Sequence, residues 1–195
     1  MIGTFITVGF RHIVSLEALD HLLFLAALAA SYRPRDWRHG LTVVSAFTVG
    51  HSITLALVAL SIVRFPIPLV EFLIPCTIVI AAGENLLDRN RRPAGALRPI
   101  LAGLFGLVHG AGFATTLRDL FEGGVAVPLL GFNIGIELGQ ALVLTTLVAV
   151  LATADRLVAW TAVPDPAQAT RWRMRLTSAT VASVALVMAV ERLPW

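Results

Sequence analysis

The chain has 195 residues, 57% of them hydrophobic and only 14% charged, with a formal net charge of +3. That balance excludes a soluble domain of this size, because too few polar side chains remain to cover its surface. A mean hydropathy of +0.82 and a pI of about 10.4 fit a polytopic membrane protein. All 15 basic residues are arginines, mostly in short loops, so the charge reads as a topology signal and not as a nucleic-acid footprint.

Six apolar segments follow in order: residues 13–32 (with an earlier start allowed), 40–63, 66–87, 99–117, 125–154 and 176–193. About 20 residues cross a ~30 Å hydrocarbon core, so all six qualify, the last only just. The fifth is long enough to tilt. The third opens on Pro66 and Pro68, a helix start. Residues 1–9 carry no basic n-region and no clear cleavage site and read as mature sequence. The lone Cys76 excludes an internal disulfide and reads as a small buried hydrophobe.

The loops after the first, third and fifth segments hold Arg33, Arg35 and Arg38; Arg89, Arg91, Arg92 and Arg98; and Arg156, Arg171, Arg173 and Arg175. The opposite side holds only Arg11, Arg64, Arg118 and Arg192. The rich loops are therefore expected in the cytoplasm and both termini outside. The stretch 162–170, with Pro164-Asp-Pro166, reads as a surface connection. Residues 47–58 align with residues 132–143 at Phe and Gly three apart and at a later Ala-Leu-Val. The expectation is an all-α polytopic membrane helix bundle of about six transmembrane helices, one integral membrane domain over residues 1–195. Two inverted three-helix repeats are one architecture compatible with the alignment.

Titratable groups interrupt these segments. With a rise of ~1.5 Å per residue, His51, His109 and Glu137 lie ~15–18 Å into their segments, near the midplane. Asp20 and His21 lie in the first third to half of segment one, and Glu84 lies ~27 Å down segment three. Such groups are expensive in hydrocarbon and need partners. Each on its own could be a hydrogen-bonded helix contact. Together, imidazoles and carboxylates at matching depth are a ligand set for first-row divalent metals. Thr48 and Thr54 flank His51. Asn133, Glu137 and Gln140 form one helical stripe that must face the interior or water. These polar groups, with Asn85, are candidates to orient the ligands. Gly106 and Gly110 form a GxxxG that lets helices approach closely. His12, near the outer surface, is a candidate entry ligand. Glu17 and Glu71 carry weaker signals.

Six strings resemble the HupE/UreJ family of bacterial membrane proteins: Gly9-Phe-Arg-His-Ile13, Asp20-His-Leu-Leu-Phe24, Phe47-Thr-Val-Gly-His-Ser-Ile-Thr-Leu55, Ala82-Gly-Glu-Asn-Leu86, Phe105-Gly-Leu-Val-His-Gly-Ala-Gly-Phe-Ala114 and Phe132-Asn-Ile-Gly-Ile-Glu-Leu-Gly-Gln140. They cover about residues 9–140. The resemblance implies an inner-membrane protein that handles nickel, or cobalt, with Asp20, His21, His51, Glu84, His109 and Glu137 carried over as metal residues. Zinc, iron, copper and manganese share the same ligand chemistry. The family's gap between the first histidine and the Asp-His pair is five residues, whereas seven separate His12 from Asp20 here. Two extra helical residues turn ~200°, so a loop must absorb them if His12 is to face the pair.

Two function classes follow. One is a divalent metal permease in the lipid bilayer, acting alone, as a homo-oligomer or with accessory metal-delivery proteins, and with no nucleic-acid partner. It has no P-loop, and uptake is expected to fall below pH ~6.5 as protons compete for imidazole. The other is a membrane metalloenzyme, an oxygenase or hydrolase, using the same cluster. It would lack HExxH and HxxxH boxes, although three ligands with an open position are catalytic geometry. A purely structural subunit would bind no metal.

Overall fold

In a computed structural model, residues 2–87, 97–118, 124–161 and 166–194 are described. Arg89, Arg91, Arg92 and most of the Pro164-Asp-Pro166 connection lie outside them. The described residues form the helices α1 (Ile2–Val14), α2 (Leu19–Ser31), α3 (Trp37–Ala59), α4 (Ile67–Leu87), α5 (Leu97–Arg118), α6 (Ala126–Thr161) and α7 (Pro166–Glu191). Four of them, α3, α4, α6 and α7, are long and apolar enough to cross a membrane, and the bent α1–α2 pair is so too when taken as one span. Helix α5, with its apolar stretch Leu97–Phe113, runs 22 residues, ~33 Å of helix. The protein is an all-α membrane bundle.

The first segment departs from the continuous helix expected. It starts at Ile2 and breaks at Ser15, where α1 and α2 meet at 57°. Serine there has a local alternative to the helix ladder: its Oγ accepts the Glu17 N–H at 3.1 Å, opening a 3-10 turn over Leu16–Ala18. The break sits inside the long gap between His12 and Asp20 and absorbs its extra residues.

Other boundaries follow local chemistry. Asp36 accepts the Arg33 N–H at 3.0 Å ahead of α3. Ser61 ends α3 in the left-handed region, with φ 58°, while the Ile62 N–H returns to the Leu57 carbonyl at 2.9 Å. Inside α4, Pro75 cannot donate to the Glu71 carbonyl, which weakens the ladder where that helix passes the site. Large apolar side chains face outward along the bundle, among them Val49, Ile53, Leu104 and Leu138, as lipid contact requires.

Two helix pairs pack most closely, α3 with α5 and α1 with α6. Both do so by backbone approach at glycine. A Cβ on Gly106 would stand 2.1 Å from the Phe47 carbonyl oxygen, and one on Gly50 would stand 2.0 Å from that of Gly103. In the other pair, a Cβ on Gly9 would stand 2.1 Å from the Phe132 carbonyl oxygen, and one on Gly135 would stand 2.1 Å from that of Ile6. The spacings match: Ile6 precedes Gly9 as Gly103 precedes Gly106, and Phe132 precedes Gly135 as Phe47 precedes Gly50. Helices within each pair run parallel. Contacts of α3 with α6 run the opposite way, from Gly40 against Leu144 to His51 beside Phe132. The same packing therefore occurs twice, in opposite directions, at the strings that align in sequence.

Candidate metal centre

Helix periodicity stacks the site in layers. His21, His51 and His109 each have a phenylalanine one turn away on the same helix: Phe24, Phe47 and Phe105. The imidazoles therefore form one layer and the phenyl rings another beneath it. Phe24 stacks on Phe47 with centroids 4.9 Å apart, and Phe47 meets His109 edge-on at 5.1 Å. On the other side Phe113 covers His12 at 3.9 Å.

The break at Ser15 turns His12 into this layer. Its ring lies 4.8 Å from that of His21 and 6.3 Å from that of His51. One ligand atom each from His12, His21 and His51 lie within 4.8 Å of one another. Nitrogens on a tetrahedral ion at ~2.1 Å stand ~3.4 Å apart, so the three would close by only about an ångström. His109 adjoins them, its ring 5.2 Å from that of His21. Gly110 permits this, because its Cβ would stand 2.4 Å from the His51 carbonyl oxygen.

Five nitrogens of these rings are buried without a hydrogen-bond partner: His12 Nε2, His21 Nε2, both nitrogens of His51, and His109 Nδ1. Buried polar groups are normally satisfied, and imidazole lone pairs converging on one layer fit a divalent cation. His51 and His109 are at most 1% exposed. The remaining His109 nitrogen is engaged. Thr77 Oγ1 lies 3.0 Å from His109 Nε2 and donates its own proton to the Ile74 carbonyl at 2.7 Å. Thr77 can then only accept, so Nε2 carries the proton and Nδ1 keeps a lone pair. This is how a neighbour fixes a ligand's tautomer.

The imidazole layer opens toward one end of the bundle. A 270 Å³ cavity lined by His12, His21, His109, Asp20, Glu71 and Arg192, among others, leads into it. An adjoining cavity of 560 Å³ shares His12, Glu17 and Phe113 with it. At this vestibule Asp20 pairs with Arg192 at 3.2 Å.

Asp20 shares the vestibule with the imidazoles, whereas Glu84 and Glu137 point elsewhere. Glu84 pairs with Arg98 at 3.4 Å toward the opposite end. Glu137 accepts a hydrogen bond from Ser45. Matching depth does not fix rotation about the helix axis, and rotation turns Glu137 toward Ser45. The expected orienting groups are also engaged elsewhere. Thr48 Oγ1 lies 2.9 Å from Gln140 Oε1, Thr54 bonds to the Gly50 carbonyl, and Asn85 donates to the Ala27 carbonyl at 2.7 Å. Asn133 Oδ1 is buried without a partner. Thr77 and Phe113 touch the site and carried no sequence signal, since a threonine or phenylalanine in an apolar helix is ordinary.

No curated protein and no solved structure matches the chain. A family model described as HupE / UreJ protein matches residues 1–192, so the chain belongs to the HupE/UreJ family, which is associated with nickel or cobalt transport or urease maturation.

Proposed function

We propose that the protein is a permease for a divalent first-row cation, nickel or cobalt first, with His12, His21, His51 and His109 as its transient ligands. The observation that carries this reading is the set of unpartnered imidazole nitrogens converging in one buried layer at the foot of a vestibule. Asp20, Glu17 and Glu71 would draw cations to the mouth, and Glu84 would meet them on the exit side. Glu137 would act through α3, by its bond to Ser45, and not as a direct ligand. The arginine bias supports a bacterial inner-membrane orientation with the vestibule and both termini outside. Entry is then from the outside, into one integral membrane domain.

The test combines Ni²⁺ binding by purified protein with Ni²⁺ uptake into proteoliposomes. One ion per chain and saturable uptake are expected, with both lost in His21→Ala and His51→Ala. A wild-type protein that binds no Ni²⁺ or Co²⁺ would overturn the reading. Bound metal without uptake would show a resident ion, as in a metalloenzyme.

A further inference from the structure

The vestibule explains how an ion reaches the imidazoles but not how it leaves. The doubled packing supplies a reason to look at the opposite end. His12 follows Gly9 by the same three residues that separate His109 from Gly106. The two imidazoles thus occupy equivalent positions in two oppositely directed units, α1–α4 and α5–α7, with α2 present in the first alone. The imidazole layer straddles the line that relates the units. In transporters built this way the substrate sits between the units, and each side opens in turn.

Toward the opposite end the path among the described residues narrows. Beyond Phe24 and Phe105 lies a cavity of only 30 Å³, room for a water or two and too small for a hydrated cation. Its far wall is Glu84, Asn85 and Arg98. Arg98 is 8% exposed and uses every edge of its guanidinium. Nη1 donates to Ser31 Oγ at 2.6 Å, Nη2 donates to Asn85 Oδ1 at 3.1 Å, and Nε lies 3.4 Å from Glu84 Oε1. Asn85 extends the network to Ser178 Oγ at 3.2 Å. One side chain from α5 thereby ties α2 and α4, and through Asn85 α7, across this cavity. A planar fork with fixed donors suits this task, and a lysine could not reproduce it.

We propose that this cavity is the closed half of the ion path and that Arg98 is its latch, a tethered cation that holds Glu84 and Asn85 until the bundle opens toward the arginine-rich end. The proposal rests on the permease reading. When the latch is released, α2 and α4 separate from α5, the phenylalanine layer parts, and Glu84 becomes the first carboxylate an outgoing cation meets. Arg98 carries a positive charge throughout, so it also repels a cation from the exit while the latch is shut.

The test uses the full chain with Cys76→Ala and a reporter Ala27→Cys in the cavity wall. Inside-out vesicles are treated with a membrane-impermeant methanethiosulfonate, and Ni²⁺ binding is measured on the same preparations. Slow labelling is expected with Arg98 in place. Arg98→Gln and Arg98→Lys should each speed it tenfold or more while Ni²⁺ still binds at one per chain, which also certifies folding. Labelling within twofold of the parent in every variant that binds Ni²⁺, or rapid labelling of the parent itself, would overturn the latch. A parent chain that binds no Ni²⁺ would overturn the permease reading beneath it. Loss of Ni²⁺ binding in both variants would show that the network belongs to the fold or the metal site, and would equally overturn the latch.

Discussion

At the scale of single residues, Thr77 decides the chemistry of His109. Its hydroxyl donates to the Ile74 carbonyl and receives the imidazole Nε2–H, so the other nitrogen keeps the lone pair a cation needs. Outer partners of this kind change metal affinity by ~10–100-fold when removed. Thr77→Val should weaken Ni²⁺ binding by that range in calorimetric titration, and Thr77→Ser should restore it. Equal affinities for all three proteins would show that His109 is not a ligand. The imidazoles themselves were legible in the sequence, because an intramembrane histidine stands out against its neighbours and helix rise gives its depth. Their azimuth was not. Glu137 has the right depth and faces Ser45. Thr77 was silent because a hydroxyl in an apolar helix commonly bonds to its own backbone, and only the fold shows that it also meets His109.

At the scale of elements, glycines set how near the histidine-bearing helices come. A Cβ on Gly106 would lie 2.1 Å from a backbone carbonyl oxygen, whereas one on Gly83 meets nothing within 4 Å. Backbone cannot yield as a flexible side chain can. Gly106→Ala should therefore sharply reduce the folded fraction recovered in detergent. Gly83→Ala should be neutral or stabilising by up to ~1 kcal/mol through helix propensity. The pair of variants separates a packing role from a general intolerance of substitution, with thermal unfolding as the readout. The GxxxG of α5 and the alignment of residues 47–58 with 132–143 were both visible in the sequence. What the sequence lacked was the partner of each string: residues 47–58 lie against α5, and residues 132–143 lie against α1. The break at Ser15 was equally hidden. A serine within an apolar run is compatible with an unbroken helix, and only the need to bring His12 to His21 across the longer gap pointed to a loop.

At the scale of the whole molecule, the described residues form a wide vestibule toward one end and the Arg98 network toward the other, with the imidazoles between. On the proposed permease reading, protons and metal ions would compete for the same lone pairs there, so the sign of the pH dependence is fixed. Each proton bound to a ring removes a ligand, and Ni²⁺ binding must weaken as pH falls. Titrations at pH 7.5 and pH 5 should give a larger dissociation constant at the lower pH. An unchanged constant would count against imidazole ligation. The all-α membrane-bundle class was readable from hydropathy, while the six expected spans did not foresee the break that splits the first into α1 and α2. The narrowing toward one end was not readable either, because it depends on Arg98 turning inward, and in sequence Arg98 is one more loop arginine.

The pairing of the acidic side chains has a further consequence. Asp20 is held by Arg192, Glu84 by Arg98, and Glu137 by Ser45, which leaves the inner layer with nitrogen donors alone. Magnesium and calcium, the most abundant divalent ions a cell meets, prefer oxygen and bind imidazole poorly. On the proposed permease reading, withdrawing the oxygens would reject the majority ions without any sieve for size. Millimolar Mg²⁺ or Ca²⁺ should leave Ni²⁺ binding unchanged, while Co²⁺ and Zn²⁺, which share the taste for nitrogen, should compete for it.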